Sequence, residues 1–167
     1  MNSLNPERGM SLFDRSDDWL QVAPQVSDPD FGRMTFWRNA KEPERSFWEG
    51  LWSHPTVEEP LYVALPGPFA GPFPEARQFA LQLATSARLA AVLQTARSRI
   101  EPVFLEWTGR ELSADMDDDL KFTGFALEGL GTSPMRWELS FEVLGDELVF
   151  ISVPMLGDVA QGAYVET

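Results

Sequence analysis

The chain has 167 residues, no cysteine, six Trp, twelve Phe, 44% apolar residues and a formal net charge of −13. That length and apolar content suit one folded domain and exclude a disordered polymer. The missing cysteines exclude disulfides, thiol catalysis and Cys-ligated metal centres, and the acidity argues against nucleic acid or an anionic membrane as partner.

The charge is unevenly spread. Residues 1–73 carry net −5, residues 74–110 net +2 and residues 111–167 net −10. No apolar run approaches the roughly 20 residues that a membrane-spanning helix needs. The opening MNSLNPERGMSLFDRSDDW has no apolar signal region, and a reducing cytoplasm fits a cysteine-free chain, so a cytoplasmic protein is expected. Residues 1–17 are expected to be a flexible extension, with Met10 as an alternative natural start, and residues 18–167 a single domain.

Trp19 to Val26 (WLQVAPQV) reads as an edge strand, because Pro24 is tolerated only at edges or bulges. SDPD at 27–30 is a turn, and FGRMTFWR at 31–38 is a strand partly covered on both faces. KEPER at 41–45 turns the chain into SFWEGLWSH and then PLYVALP, two further strands of an antiparallel meander. Trp48 and Trp52 share one face and Phe47 and Leu51 the other, so an aromatic surface must be covered by a helix or a partner. PGPFAGPFP at 66–74 is a loop that closes the meander and starts a helix.

Pro74 suits a first helical turn. EARQFALQLATSARLAAVLQTARSRI then runs 26 residues without Gly or Pro, and predicts one long central helix. Phe79, Leu83, Ala87, Ala90, Leu93, Ala96 and Ile100 form its core-facing stripe, while Arg77, Arg88 and Arg99, eleven residues apart, line a solvent edge. Pro102 is expected to kink or end the helix, with VFLEW at 103–107 a short second piece stopped by Gly109.

KFTGFALEGL at 121–130 reads as a strand weakened by Gly124. RWELSFEVL at 136–144 alternates: Trp137, Leu139, Phe141 and Val143 face the core, while Glu138, Ser140 and Glu142 do not. Gly145-Asp146 turns the chain into ELVFISV, the partner strand of a closing hairpin, and a last strand is expected near Gln161 to Val165. The fold class is therefore α+β: an antiparallel sheet, made of a meander and a C-terminal hairpin, with the helix packed across one face. Most tryptophans are expected in the core.

Chemistry is concentrated in ADMDDDLKF, residues 114–122, where Asp115, Asp117, Asp118 and Asp119 crowd five positions. Asp115, Asp117 and Asp119 match positions 1, 3 and 5 of a calcium loop. Leu120 stands where the loop needs Gly, however, and Ala126 where it needs a bidentate Glu, so the template fails. A solvated turn and an exposed acidic surface that meets a basic protein partner remain as readings. His54 is the single histidine. It lacks a GxSxG serine for a triad, and Pro55 opposes a helical zinc pairing with Glu58 or Glu59, so a structural role is expected. No phosphate loop or GxGxxG occurs, and no cofactor or metal is expected. Paired carboxylates of the glycosidase kind stay open among 26 acids.

DPDFG at 28–32, FWEG at 47–50, GPFPEARQFALQL at 71–83 and RWELSFEVLGDELVF at 136–150 together resemble a set of small acidic bacterial domains of unknown function found in toxin–immunity neighbourhoods. The resemblance spans residues 28–165. It implies a non-enzymatic protein that binds a partner, an immunity protein neutralising a basic toxin being one form. A hydrolase or carbohydrate-active enzyme using two carboxylates, and an adaptor subunit of a bacterial assembly, are the alternatives.

Overall fold

The computed structural model describes residues 19–167 apart from 56, 129–133 and 147; the expected N-terminal extension lies outside the described residues. The element order is β1 (Trp19–Asp28), β2 (Gly32–Asn39), β3 (Phe47–Trp52), β4 (Leu61–Pro66), α1 (Pro74–Leu83), α2 (Ser86–Thr108), β5 (Leu120–Leu127), β6 (Arg136–Val143), β7 (Phe150–Leu156), β8 (Val159–Ala160) and β9 (Tyr164–Glu166). All nine strands form one sheet in sequence order, with β8 and β9 both on the outer edge of β7. The α+β expectation holds.

β1 is an edge strand, and its register slips between Val22 and Val26, where Pro24 withholds a ladder donor. The sheet is not wholly antiparallel. β4 and β5 pair parallel, through Tyr62↔Gly124, Val63↔Phe125 and Ala64↔Ala126. Both helices lie between these strands in sequence, and a parallel pair needs such a crossover. Gly124 permits the join. It has φ of 156°, and a Cβ there would lie 2.1 Å from the Tyr62 carbonyl oxygen.

The single long helix is replaced by two. The chain leaves helical geometry at Thr85, whose ψ is 125°, and restarts at Ser86. Pro102, expected to kink or end the helix, does not end it and sits inside α2. A proline removes one amide donor and costs a helix about 3 kcal/mol, an amount that burial of Ile100 and Phe104 around it offsets. The break shifts the apolar stripe. α1 buries Ala76, Ala80 and Leu83, and α2 buries Leu89, Val92, Ala96, Ile100 and Phe104. Ala87 and Ala90, placed on the stripe by an unbroken helix, are exposed.

These helical residues close the main core against Met34, Phe36, Trp48, Trp52, Val63, Leu65, Phe125, Trp137, Leu139, Phe141 and Val143. The expected aromatic face of β3 is thus covered by the chain's own helices. Phe69 of the proline-rich loop also packs on Phe36, at 5.5 Å between ring centroids, and Trp48 Nε1 donates to the Pro68 carbonyl at 2.8 Å. Of the tryptophans with described side chains, Trp48, Trp52 and Trp137 are buried, Trp37 is half-buried and Trp107 is exposed.

The opposite face of the sheet is more enclosed than alternation implies. Glu138 and Ser140 point away from the helices yet are 4% and 7% exposed, because β6 is an interior strand whose neighbours shield it on both sides. Among the described residues, no helix is long and apolar enough to cross a membrane.

Candidate functional site

Gly109, at φ of 73°, caps α2 in the left-handed conformation, and its N–H reaches the Leu105 carbonyl at 2.8 Å. Arg110 then folds back over the Phe104 ring, 4.8 Å from its centroid, and its guanidinium pairs with the Asp119 carboxylate. Asp119 Oδ2 also accepts the Ser113 backbone N–H at 2.7 Å. The Ser113 hydroxyl and N–H, followed by the Arg110 charge, pull the Asp119 pKa down to about 2.

The four aspartates therefore split. Asp119 is 3% exposed and turned inward, contrary to the expectation of four solvated carboxylates. Only there do its oxygens reach Arg110 and Ser113 together. Asp115, Asp117 and Asp118 are exposed. Asp115 caps the short 3-10 turn Met116–Asp118, its Oδ1 accepting the Asp117 N–H at 3.1 Å. From α2, Arg97 donates to the carbonyls of Ser113 at 2.7 Å and Ala114 at 2.9 Å. Asp119 closes the segment against the sheet, its carbonyl accepting the Leu144 N–H at 2.8 Å. The outward carboxylates are thus mounted on a segment pinned by two arginines and a strand. Arg110 and Asp119 are nine residues apart across an irregular turn, and no periodicity links them in the sequence.

The three arginines expected along a solvent edge, Arg77 and Arg88 half-buried and Arg99 exposed, are also fasteners. Arg77 holds Asp28 and, at 2.5 Å, Asp30 beyond β1. Arg88 holds Asp158 at 3.0 Å, and Arg99 reaches the Ala160 carbonyl at 3.3 Å. Strand ends and turns far away in sequence supply the acceptors. The groove along α1 lined by Pro74, Arg77, Gln78, Leu81, Gln82 and Thr85 therefore presents an arginine already committed to two aspartates.

His54 is buried, stacked edge-on against Trp52 at 4.8 Å, with Nε2 donating to the Leu83 carbonyl at 3.1 Å. Burial pushes its pKa below the ordinary histidine value, outweighing the opposing pull of that carbonyl. It ties the end of β3 to the last turn of α1. Glu58 and Glu59 are exposed, and Glu59 pairs with Lys121. Among the described residues, no three His, Asp or Glu side chains gather as a metal ion would require.

Two carboxylates, half-buried Glu49 and buried Glu138, have hydrogen-bond partners that the sequence did not indicate. Glu49 accepts from Trp37 Nε1 at 2.6 Å and the Tyr62 hydroxyl at 2.5 Å, and Glu138 accepts from the Tyr164 hydroxyl at 2.5 Å. They occupy one row across the sheet, with Ala64 and Ala126 between them. Three strand spacings separate their backbones by roughly 14 Å. Tyr164 lies two strands beyond Glu138 on the side away from Glu49. Glycosidase pairs work at roughly 5–9.5 Å between carboxyl groups, a separation this row does not favour. Comparisons with protein-family models, curated proteins and solved structures match nothing to this chain.

Proposed function

We propose that the chain is a non-enzymatic binding domain that acts by contact with a basic protein, working in the cytoplasm without nucleic acid. The observation that carries this reading is the split of the aspartates. One is spent on locking the turn, and Asp115, Asp117 and Asp118 are held outward together. Like charges held close repel, and the fold gains nothing from that repulsion. A cationic partner converts it into attraction and faster encounter. Neutralisation of a basic toxin, as the sequence resemblance implies, is the specific form of this activity.

The test compares the wild type with an Asp115→Asn, Asp117→Asn, Asp118→Asn variant as bait in lysate of the source organism. Asn keeps the cap at position 115, so the fold is preserved. The expected result is a basic protein retained by the wild type, released by salt and lost by the variant. Identical captures by both proteins, or an acidic captured protein, overturn the proposal.

A further inference from the structure

Beside the acidic turn lie three large apolar side chains that the core does not use. Trp107, in the last turn of α2, is 46% exposed, and its Nε1 donates to Asp146 Oδ2 at 3.0 Å. Leu144, just past β6, is 40% exposed, and its N–H is the donor to the Asp119 carbonyl. Leu148, in the same β6–β7 connection, is 78% exposed and has φ of 68°. That left-handed geometry suits Gly or Asn and disfavours a branched side chain. Neither burial nor backbone preference accounts for a leucine there, and backbone strain of this kind gathers at sites of function.

Exposed apolar groups rimmed by charge mark contact surfaces, with aromatic residues as anchors. The rim here is acidic. Residues 101–119 hold seven carboxylates; Arg110 is bound to Asp119 and Arg97 reaches in to Glu101, which leaves five without either arginine. Asp146 adds a carboxylate against Trp107. A second copy of this chain would bring the same negative field and be repelled, as would an anionic bilayer.

We propose that Trp107, Leu144 and Leu148 form the apolar floor of a docking surface for a basic amphipathic segment of a partner protein. The segment's Lys and Arg side chains meet Asp115, Asp117, Asp118 and Asp146, and its apolar face meets the tryptophan and leucines. This rests on the proposed function above and names the surface and the chemistry of the partner.

Two synthetic peptides of equal length and charge test it. One is a Lys–Leu peptide with its leucines on one helical face; the other is a Lys–Gln peptide without an apolar face. Binding is measured by titration calorimetry, and amide NMR shifts locate it, for the wild type and a Trp107→Ala, Leu148→Asn variant. Asn suits the backbone at 148, so an unchanged melting temperature verifies the variant's fold. The expected result is shifts over 103–107, 115–118 and 144–148, with about tenfold weaker Lys–Leu binding by the variant and Lys–Gln binding unaffected. Equal wild-type affinity for both peptides, unchanged in the variant, overturns the apolar floor and leaves the acidic reading standing. No binding of either peptide overturns both. Shifts confined to another face overturn the docking surface.

Discussion

Asp119 shows how one side chain changes role when its neighbours are assembled. In the chain it is the fourth of a run of carboxylates; in the fold it is an anchor for Arg110 and Ser113. Its folded pKa of about 2 lies below the ordinary aspartate value of 3.8. The stability it supplies is therefore present above the unfolded pKa and is lost as pH falls from about 4 toward 2. Asp119→Asn should cost about 2 kcal/mol at neutral pH, a gap that shrinks toward pH 2. Urea midpoints of both proteins across that range check it, and a gap that stays constant with pH would remove Asp119 as the titrating group. His54 acts in the same direction at a higher pH, through burial of its neutral form. Its folded pKa is depressed below the ordinary histidine value of 6.5, so the unfolded chain binds the extra proton and stability falls as pH drops below about 6.5. His54→Gln should flatten the melting temperature between pH 7 and 5, and an unaltered slope would assign the titration elsewhere.

At the scale of elements, the parallel join and the closing hairpin carry the fold. Gly124→Ala places a methyl against the Tyr62 carbonyl, and backbone cannot step aside as a flexible side chain can. A loss near 3 kcal/mol is expected, read from equilibrium unfolding; a neutral result would mean that β4 and β5 do not approach so closely. In β6, Phe141 is 1% exposed and packs on Phe122 at 5.4 Å. Phe141→Ala should cost about 3–5 kcal/mol, and a loss below about 1 kcal/mol would put the strand in the wrong register. The helical break at Thr85 belongs here too. By interrupting the turn it lets α1 and α2 each bury a stripe of its own, with His54 holding the last turn of α1.

For the whole molecule, charge sets behaviour in solution. A net −13 with 26 acids leaves more repulsion than the ion pairs remove. The melting temperature should rise on adding sodium chloride from low to moderate concentration, because screening acts on exposed carboxylates within a Debye length of about 10 Å. The Asp115, Asp117, Asp118 to Asn variant should rise less. A melting temperature that falls with salt would mean that pairs such as Arg77–Asp28 and Arg88–Asp158 outweigh the repulsion.

The α+β class, the inward set Trp137, Leu139, Phe141 and Val143, the edge position of β1 and the turn at Gly145 were all legible in the sequence. Each depends on a local period or a local backbone preference: alternation of two, a proline without an amide donor, a glycine in a turn. The acidic density at 115–119 was legible for the same reason. What only the tertiary structure decided depends on residues distant in the chain. The parallel pairing of β4 with β5 needs Gly124 to meet Tyr62, and the fastening role of Arg77 needs Asp28, 49 residues away. The hydrogen bond to buried Glu138 needs Tyr164, and the inward turn of Asp119 needs Arg110 across an irregular loop. The hydrogen bond from Trp107 to Asp146 needs the end of α2 to meet the β6–β7 connection. Periodicity assigns a residue to a face, but it carries no information about which distant segment will lie against that face, because that is set by how the finished elements pack.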